Sequence, residues 1–81
     1  MARAHRKKYE QRMKVLGLKV AYYRKLKGWT QENLAEKTDV TPGYISQIES
    51  TSNGQMPSLE MLLTLSEVLE VPPSKLLDDP E

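Results

Sequence analysis

Between residues 41 and 47 the chain sets Thr41, Gly43, Tyr44, Ser46 and Gln47 close together, around Pro42 and Ile45. Hydroxyls, an amide and bare backbone donate and accept hydrogen bonds, but none exchanges a proton readily near neutral pH. Groups that do are scarce. The single histidine, His5, lies in a basic, aperiodic stretch where a solvated side chain is expected rather than a general base or a metal ligand. With no cysteine, a disulfide scaffold, a thiolate metal site and a cysteine nucleophile are excluded. The acid pair Asp78-Asp79 sits at the end of the chain, and no other acidic or imidazole groups have metal-ligand spacing. No glycine-rich loop follows a strand. An enzyme, a cofactor and a bound metal are therefore not expected, and the remaining chemistry is recognition by hydrogen bonding and charge.

Charge is distributed unevenly. Residues 1–28 hold ten Lys or Arg against Glu10, a balance of +9, whereas residues 29–81 hold Lys37 and Lys75 against ten acids, a balance of −8. The small total of +1 hides both. A basic segment suits a polyanion or an anionic membrane surface, and it equally suits a solubilising arm and the solvated face of a helix. At 81 residues the chain is below the usual domain mode of about 100 to 150, so one domain with a thin core is expected. No apolar run approaches the roughly 20 residues of a membrane span, and no apolar stretch follows the basic start as in a secretory signal. A cytoplasmic location without membrane attachment is expected.

The elements that must carry these groups read as helices. Residues 1–8 show no apolar period and are expected to form a basic arm. Tyr9, Met13, Leu16, Val20 and Tyr23 recur at three and four residues, predicting a first helix that stops near Lys27-Gly28, where glycine accepts the left-handed conformation. Thr30 offers an N-cap for a second helix over residues 31–37, with Leu34 and Ala35 inward. Thr41-Pro42 restarts a helix that runs to Glu49, with Ile45 and Ile48 inward. Residues 50–56 read as a loop. Pro57-Ser58 opens a fourth helix with Leu59, Leu62, Leu65 and Leu69 as its stripe, widened by Met61 and Val68. Pro72-Pro73 breaks it, and a last turn carries Leu76 and Leu77. Trp29, Tyr23 and Met13 are expected in the core. No strand period or internal repeat is present. The fold class is all-α, a compact bundle of five short helices, with an arm over 1–8, a domain over 9–78 and an acidic tail over 79–81.

Two of these helices, Thr30 to Glu49, are joined by a tight turn. Their apolar residues fix a crossing angle while the outer face of the second stays small and polar. In a helix-turn-helix such a face enters the major groove of DNA. An ordinary helical hairpin, or a helical protein-interaction module whose basic segment meets an acidic partner, fits the same periodicity.

The run from Trp29 through Thr-Gln-Glu-Asn-Leu-Ala to Tyr44-Ile-Ser-Gln-Ile-Glu49, followed by Pro57-Ser-Leu-Glu-Met-Leu and Leu69-Glu-Val, closely resembles the lambda-repressor-like helix-turn-helix family of Cro and phage-repressor type. The resemblance covers roughly Leu16 to Leu77. It implies a sequence-specific DNA-binding transcriptional regulator, a repressor by expectation, whose partner is a double-stranded, palindromic operator read by a homodimer. It implies that Gln31 hydrogen-bonds a phosphate, aided by the helix N-terminus beside it. Thr41, Pro42, Gly43, Tyr44, Ser46 and Gln47 take the groove-facing positions. Gln47 is the favoured base contact, because an amide pairs with adenine at two atoms. Arg24 and Glu49 match an ion pair between the first and third helices, with Arg24 also a candidate for phosphate contact. Ser52 and Asn53, in the loop after the third helix, match backbone-contacting positions.

The sequence departs from the family in two ways. The groove-facing helix has no Lys or Arg, and Pro42-Gly43 replaces longer polar side chains, so readout leans on few hydrogen bonds and on DNA shape. The loop over 50–56 is also longer than the common form. Arg3, Arg6, Lys7, Lys8 and Arg12, with Lys19, are then expected to supply most of the attraction to phosphate. Leu63, facing away from the main stripe, is expected to form a dimer surface with Leu76 and Leu77. An antitoxin paired with a toxin, a controller of restriction-modification genes, and a domain joined to a C-terminal effector domain are variants the family allows. A nucleoid-associated location follows from DNA binding.

Overall fold

A computed structural model describes residues 9–50 and 57–78. Arg3, Arg6, Lys7, Lys8, Ser52 and Asn53 lie outside these residues. Among the described residues all regular structure is helical: α1 (Glu10–Leu26), α2 (Gln31–Thr38), α3 (Pro42–Glu49), α4 (Leu59–Leu69) and α5 (Pro73–Leu77).

Local chemistry sets the helix ends. Gly28 stands at φ 76° after α1, a conformation open to glycine without a Cβ clash. Thr30 caps α2 by accepting from the Asn33 backbone N–H, and the Asn33 side chain accepts from the Thr30 N–H in return, a reciprocal capping box. Thr41 caps α3 by a single bond, its hydroxyl accepting from the Tyr44 N–H, with Pro42 in the first turn. Ser58 caps α4 through the Met61 N–H, so Pro57 lies just outside that helix. The C-caps of α2 and α4 are Asp39 and Glu70, both left-handed at φ 62° and 63°.

α3 packs against α2 and α1, and α5 packs against α1 and α4. The shared core holds Val20, Leu34, Ile45, Ile48, Leu65, Leu69 and Leu76, each nearly sealed from solvent. Fully burying such a side chain favours folding by about 1.5 to 3 kcal/mol before the ordering entropy is set against it. Gly17 permits the tightest helix crossing. A Cβ at that position would stand 2.5 Å from the Ile48 carbonyl oxygen, so the absence of a side chain lets the last turn of α3 rest on α1.

Three expectations about apolar residues need correction. Leu59 is 72% exposed rather than part of the α4 stripe. As the first residue after the cap it stands to one side of the line through Met61, Leu62, Leu65 and Leu69, which makes the inward face. Leu76 is 1% exposed, because α5 folds back onto α1 and α4 and this residue closes the core; it is not free to form a dimer surface. Trp29, Tyr23 and Met13 are half-buried rather than inside the core, the first two at its rim. The Lys27 and Lys37 ammonium groups stand 5.6 and 4.7 Å from the Trp29 ring centre, and the ring thus presents part of its surface to cations and solvent.

Candidate nucleic-acid interface

The eight residues of α3 divide cleanly around the helix. Ile45 and Ile48 point into the core, and Pro42, Gly43, Ser46 and Gln47 are exposed on the other side, continuous with Thr41 at the cap. Tyr44 is half-buried and packs against the core, so its ring is steadied at the edge of the exposed face. A Cβ added at Gly43 would meet nothing closer than the Thr41 hydroxyl at 4.0 Å, so this glycine answers no packing demand within the chain. The result is a narrow, uncharged ridge of one amide, two hydroxyls and open backbone, without Lys or Arg.

Three side chains hold the ridge to the scaffold. Arg24, buried in α1, donates from Nε to Glu49 Oε2 at 2.7 Å and from Nη2 to Glu49 Oε1 at 3.0 Å. Its third nitrogen, Nη1, donates to the Trp29 carbonyl at 2.7 Å, tying the turn before α2 into the same cluster. Gln31 Nε2, at the start of α2, donates to Glu49 Oε1 at 2.9 Å. Glu49 thus receives charge-assisted hydrogen bonds from two elements at once, and its side chain is only 6% exposed. No buried side-chain nitrogen or oxygen among the described residues lacks a partner.

The sequence anticipates the Arg24–Glu49 pairing but not the Gln31 bond or the Trp29 carbonyl. Residues 18 apart in sequence, at the head of one helix and the tail of the next, have no local signature that would bring them together. The phosphate-contacting role expected of Arg24 does not fit this geometry, because the guanidinium is buried and all three of its nitrogens donate within the chain. Gln31 keeps its second amide hydrogen and lies half-buried at the α2 N-terminus, where backbone N–H groups face outward.

Arg12 is exposed on α1 beside α5, with Nη2 3.5 Å from the Leu77 carbonyl, and Lys19 Nζ donates to the Asp78 carbonyl at 2.7 Å. Both cations therefore sit at the C-terminal end of α5, where free carbonyls attract positive charge. Among the described residues no group of His, Asp and Glu is gathered as for a metal ion, and no helix is long and apolar enough to cross a membrane.

Comparison with known proteins places this arrangement. A family model described as helix-turn-helix matches residues 20–76. The HTH-type transcriptional regulator SinR of Bacillus subtilis is 38% identical over 65 residues, which are 80% of this chain and 58% of SinR. The chain thus spans little more than half the length of that relative. Among solved structures, SinR in complex with DNA superposes with a TM-score of 0.71 at 40% identity, over 78% of this chain and 98% of that one. The clp gene regulator ClgR from C. glutamicum gives 0.72 at 30% identity, over 82% and 83%. The restriction-modification controller protein C.AhdI from Aeromonas hydrophila gives 0.75 at 25% identity, over 84% and 96%. With α2 and α3 lying wholly inside the matched stretch, the chain belongs to the helix-turn-helix family, in the lambda-repressor-like form that its own residues resemble.

Proposed function

We propose that this chain is a transcriptional regulator that binds double-stranded DNA, placing α3 in the major groove and acting as a repressor by occupying an operator. The observation that carries the reading is the exposed Thr41–Gln47 ridge, fixed to the core by the Arg24–Glu49–Gln31 cluster. A rigid, protruding helix whose outer groups are hydrogen-bonding and uncharged is suited to reading base edges, because it loses little conformational freedom on docking. The act is binding without a chemical step.

Within this reading each residue has a task. Gln47 meets adenine N6 and N7 through its amide. Thr41 and Ser46 donate hydroxyls along the same groove, Pro42 and Gly43 allow the backbone to approach closely, and Tyr44 reaches a phosphate or a thymine methyl from the edge. Gln31 gives its free amide hydrogen to a phosphate while Glu49 orients the group through the other. Arg6, Lys7, Lys8 and Arg12 supply attraction to the backbone, as do Ser52 and Asn53 after α3. Arg24 and Glu49 position the helix and touch no base. Two half-sites about one turn apart ask for two copies of the chain, with a palindromic operator. On DNA, the protein would reside in the cytoplasm at the nucleoid.

The likeness to C.AhdI favours a second reading, control of restriction-modification genes, which differs in the operator bound rather than in how it is bound. Selection of bound sites from a random DNA pool, repeated at two salt concentrations, tests both. A single enriched motif is expected to survive at the higher salt, and its genomic neighbours separate the two readings. No enrichment at either salt would refute DNA readout.

A further inference from the structure

α1 carries two apolar stripes. One faces the core through Leu16 and Val20. The other runs through Leu18, Tyr22 and Leu26, which are 55%, 57% and 66% exposed and recur every fourth residue. At 100° per residue this second stripe lies on the side of the helix turned away from the core. Lys14 and Lys25 flank it on one side and Lys19 on the other.

α4 carries the counterpart. Leu59 and Leu63, 72% and 48% exposed and again four residues apart, lie with Glu60 and Glu67 on the face that α4 turns away from the core. α4 contains no Lys or Arg. The two surfaces therefore share an apolar ridge of the same spacing but have rims of opposite charge. The apolar ridge of α1 reaches about 12 Å along its helix, from Leu18 to Leu26, and that of α4 about 6 Å, from Leu59 to Leu63, with Glu67 one turn beyond, at 1.5 Å per residue. Ridges of residues four apart interdigitate in the commonest mode of helix packing.

We infer that a second copy of this chain covers the α1 stripe with its α4 face, Leu59 and Leu63 meeting Leu18, Tyr22 and Leu26 while Glu60 and Glu67 face Lys14 and Lys25. A copy is the fitting occupant because the same chain supplies both halves of a matched pair, apolar against apolar and acid against base. The inference deepens the reading above, which already calls for two copies, by naming the surfaces that join them. Of the dimer surface expected of Leu63, Leu76 and Leu77 it keeps Leu63 alone and sets α1 opposite it. Two short ridges fall at the small end of specific interfaces, so the contact is weak in free solution and strengthens when two copies are held on one DNA molecule.

The test uses the whole chain without DNA, by sedimentation from about 10 µM to about 1 mM, the range in which small, charge-rimmed contacts associate. Self-association is expected, and it weakens as salt is raised. Lys14→Glu with Lys25→Glu, or Glu60→Lys with Glu67→Lys, each weakens it about tenfold, the sum of a few partly exposed charge contacts turned repulsive. All four positions are solvent-accessible, and unchanged thermal melts establish that the variants fold. An equimolar mixture of the two variants then associates more tightly than either alone, because each offers the other a complementary surface. A closed dimer and an open series both carry the contact. A monomer at every concentration overturns it, as does association untouched by either charge reversal, or a mixture no tighter than its components. Loss on reversal of α1 alone, or capture of the chain by phosphatidylserine vesicles without self-association, would assign the stripe to another partner and equally overturn it. Failure here leaves DNA binding by single copies standing, and failure of DNA enrichment leaves this contact standing.

Discussion

The guanidinium of Arg24 grips both carboxylate oxygens of Glu49, at 2.7 and 3.0 Å, with the two side chains 9% and 6% exposed. This fork joins the middle of the bundle to the last residue of α3. Removing one partner strands a charge that water reaches poorly. Glu49→Ala is therefore expected to cost about 3 kcal/mol of folding stability, in the range for breaking a buried pair. Arg24→Lys keeps the charge but loses the two-point grip and the Trp29 carbonyl bond, and should cost less. Urea unfolding of the two variants measures both, and a loss under about 0.5 kcal/mol for Glu49→Ala would mean the pair does not hold α3.

Gly17 and Gly43 respond to the same substitution in opposite ways. Gly17→Ala drives a methyl to 2.5 Å from the Ile48 carbonyl oxygen and should destabilise by about 1 to 3 kcal/mol as α1 and α3 separate. Gly43→Ala enters open space in a helix, where alanine is preferred by about 0.5 to 1 kcal/mol, so stability should hold or rise. In the proposed complex the added methyl faces DNA, and affinity should change where stability does not. Thermal melts and a binding titration on each variant separate the two effects.

Gln47→Ala is expected to leave folding intact, since the side chain is exposed on α3. It should lower discrimination between the selected site and random DNA by about 1 to 3 kcal/mol and relax preference at one base position. Equal loss on both DNAs would place Gln47 at the backbone instead of a base.

Deleting residues 2–8 removes Arg3, Arg6, Lys7 and Lys8. Binding should weaken on all sequences alike, and the log-log salt dependence should become shallower by about 0.9 for each phosphate no longer neutralised. A slope equal to that of the intact chain would show that these residues do not contact phosphate.

Glu70, at the C-cap of α4, accepts a hydrogen bond from Lys27, and that bond, with the lysine charge, holds its carboxyl below the ordinary 4.5. A carboxyl more acidic folded than unfolded contributes stability above its unfolded value, and loses it as pH falls through the folded one. The pair should therefore add a small, salt-sensitive stabilisation near neutral pH that begins to fade below about pH 4.5 and is gone once pH has fallen through the lower folded value. Comparing Glu70→Gln with the parent chain across pH 3 to 7 checks the sign: the two curves should converge in acid and part as pH rises.

The helices and the exposed side of α3 are legible in the sequence because their causes lie within a few residues. Thr30 and Asn33, Thr41 and Tyr44, Ser58 and Met61 are three apart, and Gly28 needs no distant partner to end α1. The inward placing of Ile45 and Ile48 follows from spacing alone, and so does the outward placing of Ser46 and Gln47. Tertiary structure decided what depends on which elements meet. Leu76 is core because α5 folds back on α1 and α4, while Leu59 is exposed because the α4 stripe passes to one side of it. Gln31 reaches Glu49 because two helix ends converge, and Arg24 meets both Glu49 and the Trp29 carbonyl because α1, α3 and the turn before α2 come together. Capping and periodicity act over one or two turns and can be read along a string. Burial and long-range hydrogen bonds are properties of surfaces brought together, and no stretch of residues contains both sides.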